Sequence, residues 1–146
     1  MADYRIRALR EGDQPRWLTL WEGYLRFYRA HLPADVTRNT FARLIDAESD
    51  PQGLVAERGN ELLGFTHYLF HASSWSVRPV CYLEDLFVAD AARGQGVARG
   101  LIQAVYAAAD AAGAGGVYWL TQEFNAEARA LYDTLARRTS FIRYER

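Results

Sequence analysis

The residues best suited to chemistry lie between Cys81 and Gly100, CYLEDLFVADAARGQGVARG. An apolar, aromatic-rich run of Tyr82, Leu83, Leu86, Phe87 and Val88 ends in a polar turn at Asp90. The loop Arg93-Gly94-Gln95-Gly96 then opens a long helical pattern. A strand feeding a glycine loop at a helix N-terminus makes a phosphate cradle: the backbone can approach an anion, unpaired N–H groups point at it, and the helix dipole favours its charge. A phosphate-bearing ligand is the expectation. A P-loop is excluded, because it needs Gly-Lys-Ser/Thr and the chain contains no lysine. A dinucleotide fingerprint fits poorly. The spacing is Gly94-x-Gly96-x-x-x-Gly100, past mid-chain, and Asp110 falls inside a helix instead of at a strand end. A tight turn with no ligand is the remaining alternative.

Glu84 and Asp85 sit mid-strand directly before that loop. Adjacent strand residues point to opposite faces, so one carboxylate is expected in a cleft and the other buried or covered by a helix. A charge inside a central strand is costly unless paired or used. The structural alternative caps a loop or pairs one of them with an arginine such as Arg78. Tyr132 follows Asn125 by two helical turns and shares its face. Asn125 suits a helix N-cap, and a core tyrosine with a satisfied hydroxyl is the alternative for Tyr132. His67 and His71 share one strand face but lack an evident third ligand, so hydrogen-bonded histidines and no metal are expected. Cys81 has no base neighbour and is expected to be buried and inert.

Arg93-Gly94-Gln95-Gly96-Val97-Ala98 resembles the Q/R-x-x-G-x-G/A signature of the GNAT family of N-acetyltransferases. Leu86-Phe87-Val88 ahead of the loop, an amphipathic helix behind it, and Asn125 and Tyr132 downstream extend the resemblance. It is close over the second half of the chain and holds in outline elsewhere. The resemblance implies an α/β (α+β) fold of three α/β/α layers, with a mixed, mostly antiparallel sheet splayed at a cofactor cleft. It also implies acetyl-CoA as co-substrate and an amine as acceptor. Tyr82 to Val88 is most similar to the diamine acetyltransferases and the histone/polyamine branch, which points to a small primary amine, polyamine or amino-acid-like. A protein lysine or N-terminal amine is the alternative acceptor, and a catalytically silent acyl-CoA-binding module is the alternative class.

By that resemblance Arg93, Gly94, Gln95, Gly96, Val97 and Ala98 cradle the pyrophosphate. Leu86, Phe87 and Val88 line the pantetheine arm with backbone groups, and Asn125 hydrogen-bonds it. Tyr132 protonates the departing thiolate, and Glu84 binds the amine or acts as general base, with Asp85 second. An alkylammonium has a pKa of about 10.4, so delivering it neutral at pH 7 costs about 4–5 kcal/mol without a proton acceptor. Trp17, Trp21, Tyr24 and Tyr28 recur at helical spacing and read first as core. The first helix walls the acceptor site in the family, so Trp21, Glu22, Tyr24 and Trp75 are candidate substrate residues, aromatic faces and a carboxylate both suiting a cation.

The elements that must position these groups follow from pattern. Tyr4 to Leu9 alternates as a strand, and Asp13 with Pro15 caps and starts a helix that Pro33 stops. A second helix from Asp35 or Thr37 ends at Asp50-Pro51. Gly53–Arg58 and Leu62–Phe70 form a hairpin across Gly59-Asn60, and Ser73 to Pro79 is a loop. After the glycine loop come a helix to Gly113, a buried parallel strand Val117–Thr121, a helix capped by Asn125, and a last strand Phe141–Tyr144.

The family has two strands after its last helix, and only one fits here. That shortfall, with the strand exchange of the histone/polyamine branch, suggests a homodimer built on the C-terminal strand. A chain of 146 residues supports one domain, residues 1–146. Its net charge of −1 offers no basic footprint for nucleic acid, and no apolar run is long enough to span a membrane. All 17 basic residues are arginine, as an Ala/Arg-biased genome would give. One cysteine and a charged N-terminus point to the cytoplasm.

Overall fold

The computed structural model describes residues 3–146. Strand β1 (Arg5–Ala8) leads into helices α1 (Gln14–Phe27) and α2 (Ala34–Leu44). Strands β2 (Gln52–Arg58), β3 (Glu61–Ser73) and β4 (Ser76–Val88) follow as a meander. Helix α3 (Val97–Ala111), strand β5 (Val117–Tyr118) and helix α4 (Ala126–Leu135) complete the order. The sheet runs β1-β2-β3-β4-β5, antiparallel except for the parallel β4–β5 pair. The three-layer fold with a mixed, mostly antiparallel sheet is the one expected.

Alternation in the strands sends apolar side chains to both faces, so the sheet needs cover on both sides. Leu9, Val55 and Phe65 meet Trp17, Leu20, Trp21, Phe41 and Leu44 beneath α1 and α2. On the other face Ala56 and Leu63 pack with Val97 and Leu101, and Cys81 and Leu83 with Ile102 and Val105. Leu131, Tyr132 and Leu135 of α4 join that second face. Trp17, Trp21 and Tyr24 form a continuous stack, with centroids 5.4 and 5.2 Å apart, so most of the aromatic stripe is core.

Several expectations need correction. Residues 73–79 are not an open loop: β3 and β4 continue into a long hairpin with Trp75 at its tip, 94% exposed. Both faces there are polar or exposed, so no alternation marked it as strand. Helix α1 ends at Phe27, well before Pro33, and Arg29 turns the chain with a φ of 53°. Asp13 precedes α1, but its side chain does not cap it; Arg7 and Arg16 take the carboxylate. Strand β5 stops at Tyr118 instead of Thr121. Phe141–Tyr144 forms no strand within the single chain, and Phe141, Ile142 and Tyr144 are exposed. A strand needs a partner for its backbone groups, and no strand among the described residues pairs with this segment.

Candidate active site

The glycine loop adopts the backbone its sequence calls for. Gly94 and Gly96 have φ values of 77° and 79°, a region side chains resist. Gly96 occupies the N-cap position of α3 and offers no side-chain cap. The first helix-type bond runs from the Gly100 N–H to the Gly96 carbonyl, so the amides of Val97, Ala98 and Arg99 have no helical acceptor. The Tyr4 hydroxyl donates to the Gly96 carbonyl at 2.8 Å and fixes the loop against β1. A Cβ on Gly100 would lie 2.5 Å from that hydroxyl, which explains the third glycine. Gln95 accepts from Arg58 at 2.8 Å, and Arg93 pairs with Asp90 at 3.2 Å. Open amides at a helix N-terminus, rigidly held, fit a pyrophosphate.

The cleft beside the cradle arises because β4 and β5 pair only at Cys81–Val117 and Tyr82–Tyr118. Beyond Tyr82 the β5-side edge of Leu83 to Val88 has no strand partner. Leu86 and Val88 direct their side chains to the α3 face and Phe87 to the α1 face, leaving the backbone edge as the feature facing the gap. Asn125 accepts from the Ala128 N–H at 3.4 Å and caps α4. Tyr132, two turns along, meets the ring of Trp119 at 5.4 Å. Burial pushes its phenol up to about 12, with Tyr28 adding to the rise.

The carboxylates are arranged by a bulge that no local pattern announced. Asp85 pairs with His67 but Leu83 pairs with Tyr68, so Glu84 is an extra residue in β4. Leu83 points to the α3 face, Asp85 to α1, and Leu86 back to α3. Glu84 and Asp85 therefore leave the sheet on the same side, correcting the expectation of opposite faces. Asp85 accepts from the Tyr24 hydroxyl at 2.6 Å and bonds His67 Nδ1 at 2.9 Å. Glu84 is exposed as a residue, yet partial desolvation and then the Asp85 carboxylate raise its pKa above the ordinary glutamate value. Burial, and then Asp85, push the Tyr24 phenol well above its usual range, so it remains a donor.

Of the other candidates, Tyr24 is brought to the carboxylates and three are not. Trp21 is buried in the aromatic stack and donates to Thr37. Glu22 lies on a groove of about 530 Å³ between α1 and α2 that neither Glu84 nor Asp85 lines. Trp75 is nine positions up β4 from Glu84, about 30 Å along an extended strand. Tyr28 was missed as a candidate: its ring lies edge-on to Tyr24 at 5.1 Å, and the Asp85 charge adds to the rise that burial gives its phenol. Its position four residues after Tyr24 was the available signal. His67 and His71 each have their own partners, His71 bonding Tyr118 at 2.9 Å.

Residues 15–136 match the Acetyltransferase (GNAT) family. The chain belongs to this family. It is 40% identical over 144 residues to the D-amino-acid N-acetyltransferase HPA3 of Saccharomyces cerevisiae, spanning 97% of this chain and 89% of that one. It is 33% identical over 145 residues to the uncharacterized N-acetyltransferase YhfO of Bacillus subtilis, spanning 95% and 94%. Among solved structures, AAC(6')-Iy with the bisubstrate analogue CoA-S-monomethyl-acetylneamine superposes with a TM-score of 0.85 at 20% identity, over 98% and 97% of the two chains. The protein is thus a GNAT acetyltransferase, using acetyl-CoA for N-acetyl transfer. Among the described residues no helix is long and apolar enough to cross a membrane.

Proposed function

We propose that this GNAT enzyme acetylates the primary amine of a small, amino-acid-like molecule. The observation that carries the reading is the bulge that turns Glu84 and Asp85 together onto the face below Tyr24 and Tyr28, with no arginine paired to either among the described residues. An ammonium is the natural counter-ion for such a pair. The name of the yeast relative, which acts on D-amino acids, supports an amino-acid amine over a polyamine. The diamine-like run Tyr82 to Val88 supports the polyamine as second choice.

In this reading the amides of residues 94–99 hold the pyrophosphate, with Arg93 and Gln95 bracing the loop. The open edge of Leu86, Phe87 and Val88, together with Asn125, aligns the pantetheine arm. Asp85 anchors the ammonium and Glu84, whose pKa is already raised, takes its proton. The amine nitrogen then attacks the thioester carbonyl carbon, the C–S bond breaks, and Tyr132 gives its proton to the leaving thiolate. The reaction is placed in the cytoplasm, in keeping with a single buried thiol, Cys81. A panel of D- and L-amino acids, polyamines and lysine peptides, assayed for acetyl-CoA turnover, tests the acceptor. Turnover confined to lysine peptides contradicts the small-amine reading.

The reading extends to assembly. Phe141, Ile142 and Tyr144 are exposed, and the sheet ends in a strand of two residues. A second copy would give this segment a partner strand and cover its apolar side chains. A monodisperse monomer by light scattering at high concentration would contradict the homodimer.

A further inference from the structure

We propose that His67, pinned by Trp17, is a positioning residue for the acceptor amine: it fixes the Asp85 carboxylate in the orientation that faces the cleft. The inference rests on the reading that Glu84 and Asp85 receive the amine. His67 is fully buried in β3, stacked on Phe65 at 4.6 Å and near the ring of Trp21 at 5.6 Å. An apolar residue would fill that space at no cost in polar burial. An imidazole there is tolerated only when both nitrogens are bonded. Both are.

The direction of the chain is dictated by its first member. An indole N–H can only donate, and Trp17 Nε1 donates to His67 Nε2 at 3.2 Å. Nε2 must then be the acceptor, the imidazole proton sits on Nδ1, and Nδ1–H donates to Asp85 Oδ2 at 2.9 Å. Tyr24 donates to the other oxygen at 2.6 Å. A carboxylate gripped on both oxygens by donors is held in one orientation. Its side chain keeps 15% exposure, which is its outlet to the cleft.

Asp85 is bonded by Tyr24 from α1 and His67 from β3; Tyr28 on α1 and Tyr82 and Glu84 on β4 feel its charge. Among the described residues no arginine pairs with it. A purely structural carboxylate is served best by a cation. Neutral donors orient the charge without cancelling it, as a cation-binding site requires.

The test compares the pH dependence of kcat/KM in the wild type, His67→Phe and His67→Asn. Phe fills the aromatic space and removes both bonds; Asn restores a donor toward Asp85. His67→Phe is expected to lose activity about ten- to hundredfold below neutral pH, the range for deleting one hydrogen bond to a charged group. Its acid limb, which reports the Glu84–Asp85 pair as a unit, should move up by about one to two pH units, and His67→Asn should recover most of the loss. Tyr24→Phe, which removes the other donor at the edge of the core, should shift the limb the same way. A wild-type profile in His67→Phe, or an equal loss in His67→Asn, overturns the inference and leaves the acetyltransferase reading intact. If no amine is acetylated by the wild type, that reading fails instead. The chain has its own readout in nitrogen-15 NMR of the free protein: a proton on His67 Nδ1 supports it, and one on Nε2 overturns it.

Discussion

The face of the sheet under α1 carries two clusters of carboxylates. At the start of α1, fully buried Asp13 receives two bonds from Arg7 at 2.8 Å and one from Arg16 at 2.9 Å. Glu57 is held by Arg7 at 2.7 Å and Arg5 at 2.9 Å. At the other end of the same helix, Glu84 and Asp85 sit side by side with Tyr24 and His67 as neighbours, and among the described residues neither makes an ion pair with an arginine. The first cluster cancels its charge internally, and the second keeps a surplus of negative charge at a cleft. The arginines hold Asp13 below its usual value and Glu57 down to about 2, whereas Glu84 is pushed up. One cluster fastens α1 to β1 and β2. The other, in the function proposed above, is where the amine binds.

Breaking the first cluster should cost the most free energy and no chemistry. Asp13→Asn leaves Arg7 and Arg16 facing a neutral group in a buried site, and a loss of about 3–5 kcal/mol of stability is expected. Denaturant melts measure it, and the rate per folded molecule should stay within about twofold of wild type, since additivity holds for distant sites. A large loss of rate with unchanged stability would invert the assignment of the two clusters.

The sign of the pH dependence separates them further. The Asp13 and Glu57 pKa values are depressed on folding, so their contribution is present above about pH 4 and is lost as pH falls toward 2. Glu84 is raised on folding, so its contribution is full below the ordinary glutamate value and is lost as pH rises through the folded one. The stability margin of wild type over Asp13→Asn should therefore grow with pH, and the margin over Glu84→Gln should shrink. Melts across pH 2 to 8 read both slopes; equal slopes would remove the distinction.

A smaller effect comes from giving the second cluster the cation it lacks. Tyr28→Arg places a guanidinium near Asp85 and imitates Arg7 at the other end of the helix. The KM for the amine should rise about tenfold or more as the arginine competes for the charge, while acetyl-CoA affinity is unchanged. An unaltered KM would show that the carboxylates do not meet the amine.

Much of this was legible from local pattern. The glycine loop, the helix behind it, the alternating strands and the Asn125–Tyr132 spacing are all set by residues close in sequence. The bulge at Glu84 was not, because it exists only in the register between two strands, and Tyr82 to Val88 reads the same with or without it. The fate of Asp13 was hidden for a similar reason: its partner Arg7 reaches it across a turn, and Glu57 joins from β2. The C-terminal residues carry strand composition without a strand neighbour, so propensity alone overstated them. Pairing decides all three, and pairing is a property of the folded chain.

The central claim, that the carboxylates without an arginine partner do the chemistry and the arginine-paired ones hold the fold, is tested most directly by one assay. Acetyl-CoA-dependent acetylation of a D-amino acid is measured for the double variant Glu84→Gln/Asp85→Asn beside Asp13→Asn, at a temperature where both are folded. The account predicts a loss of about 10²–10⁴ in the double variant, the range for a positioned acid or base, and near wild-type turnover for Asp13→Asn. Wild-type turnover in the double variant, or equal losses in the two proteins, would contradict it.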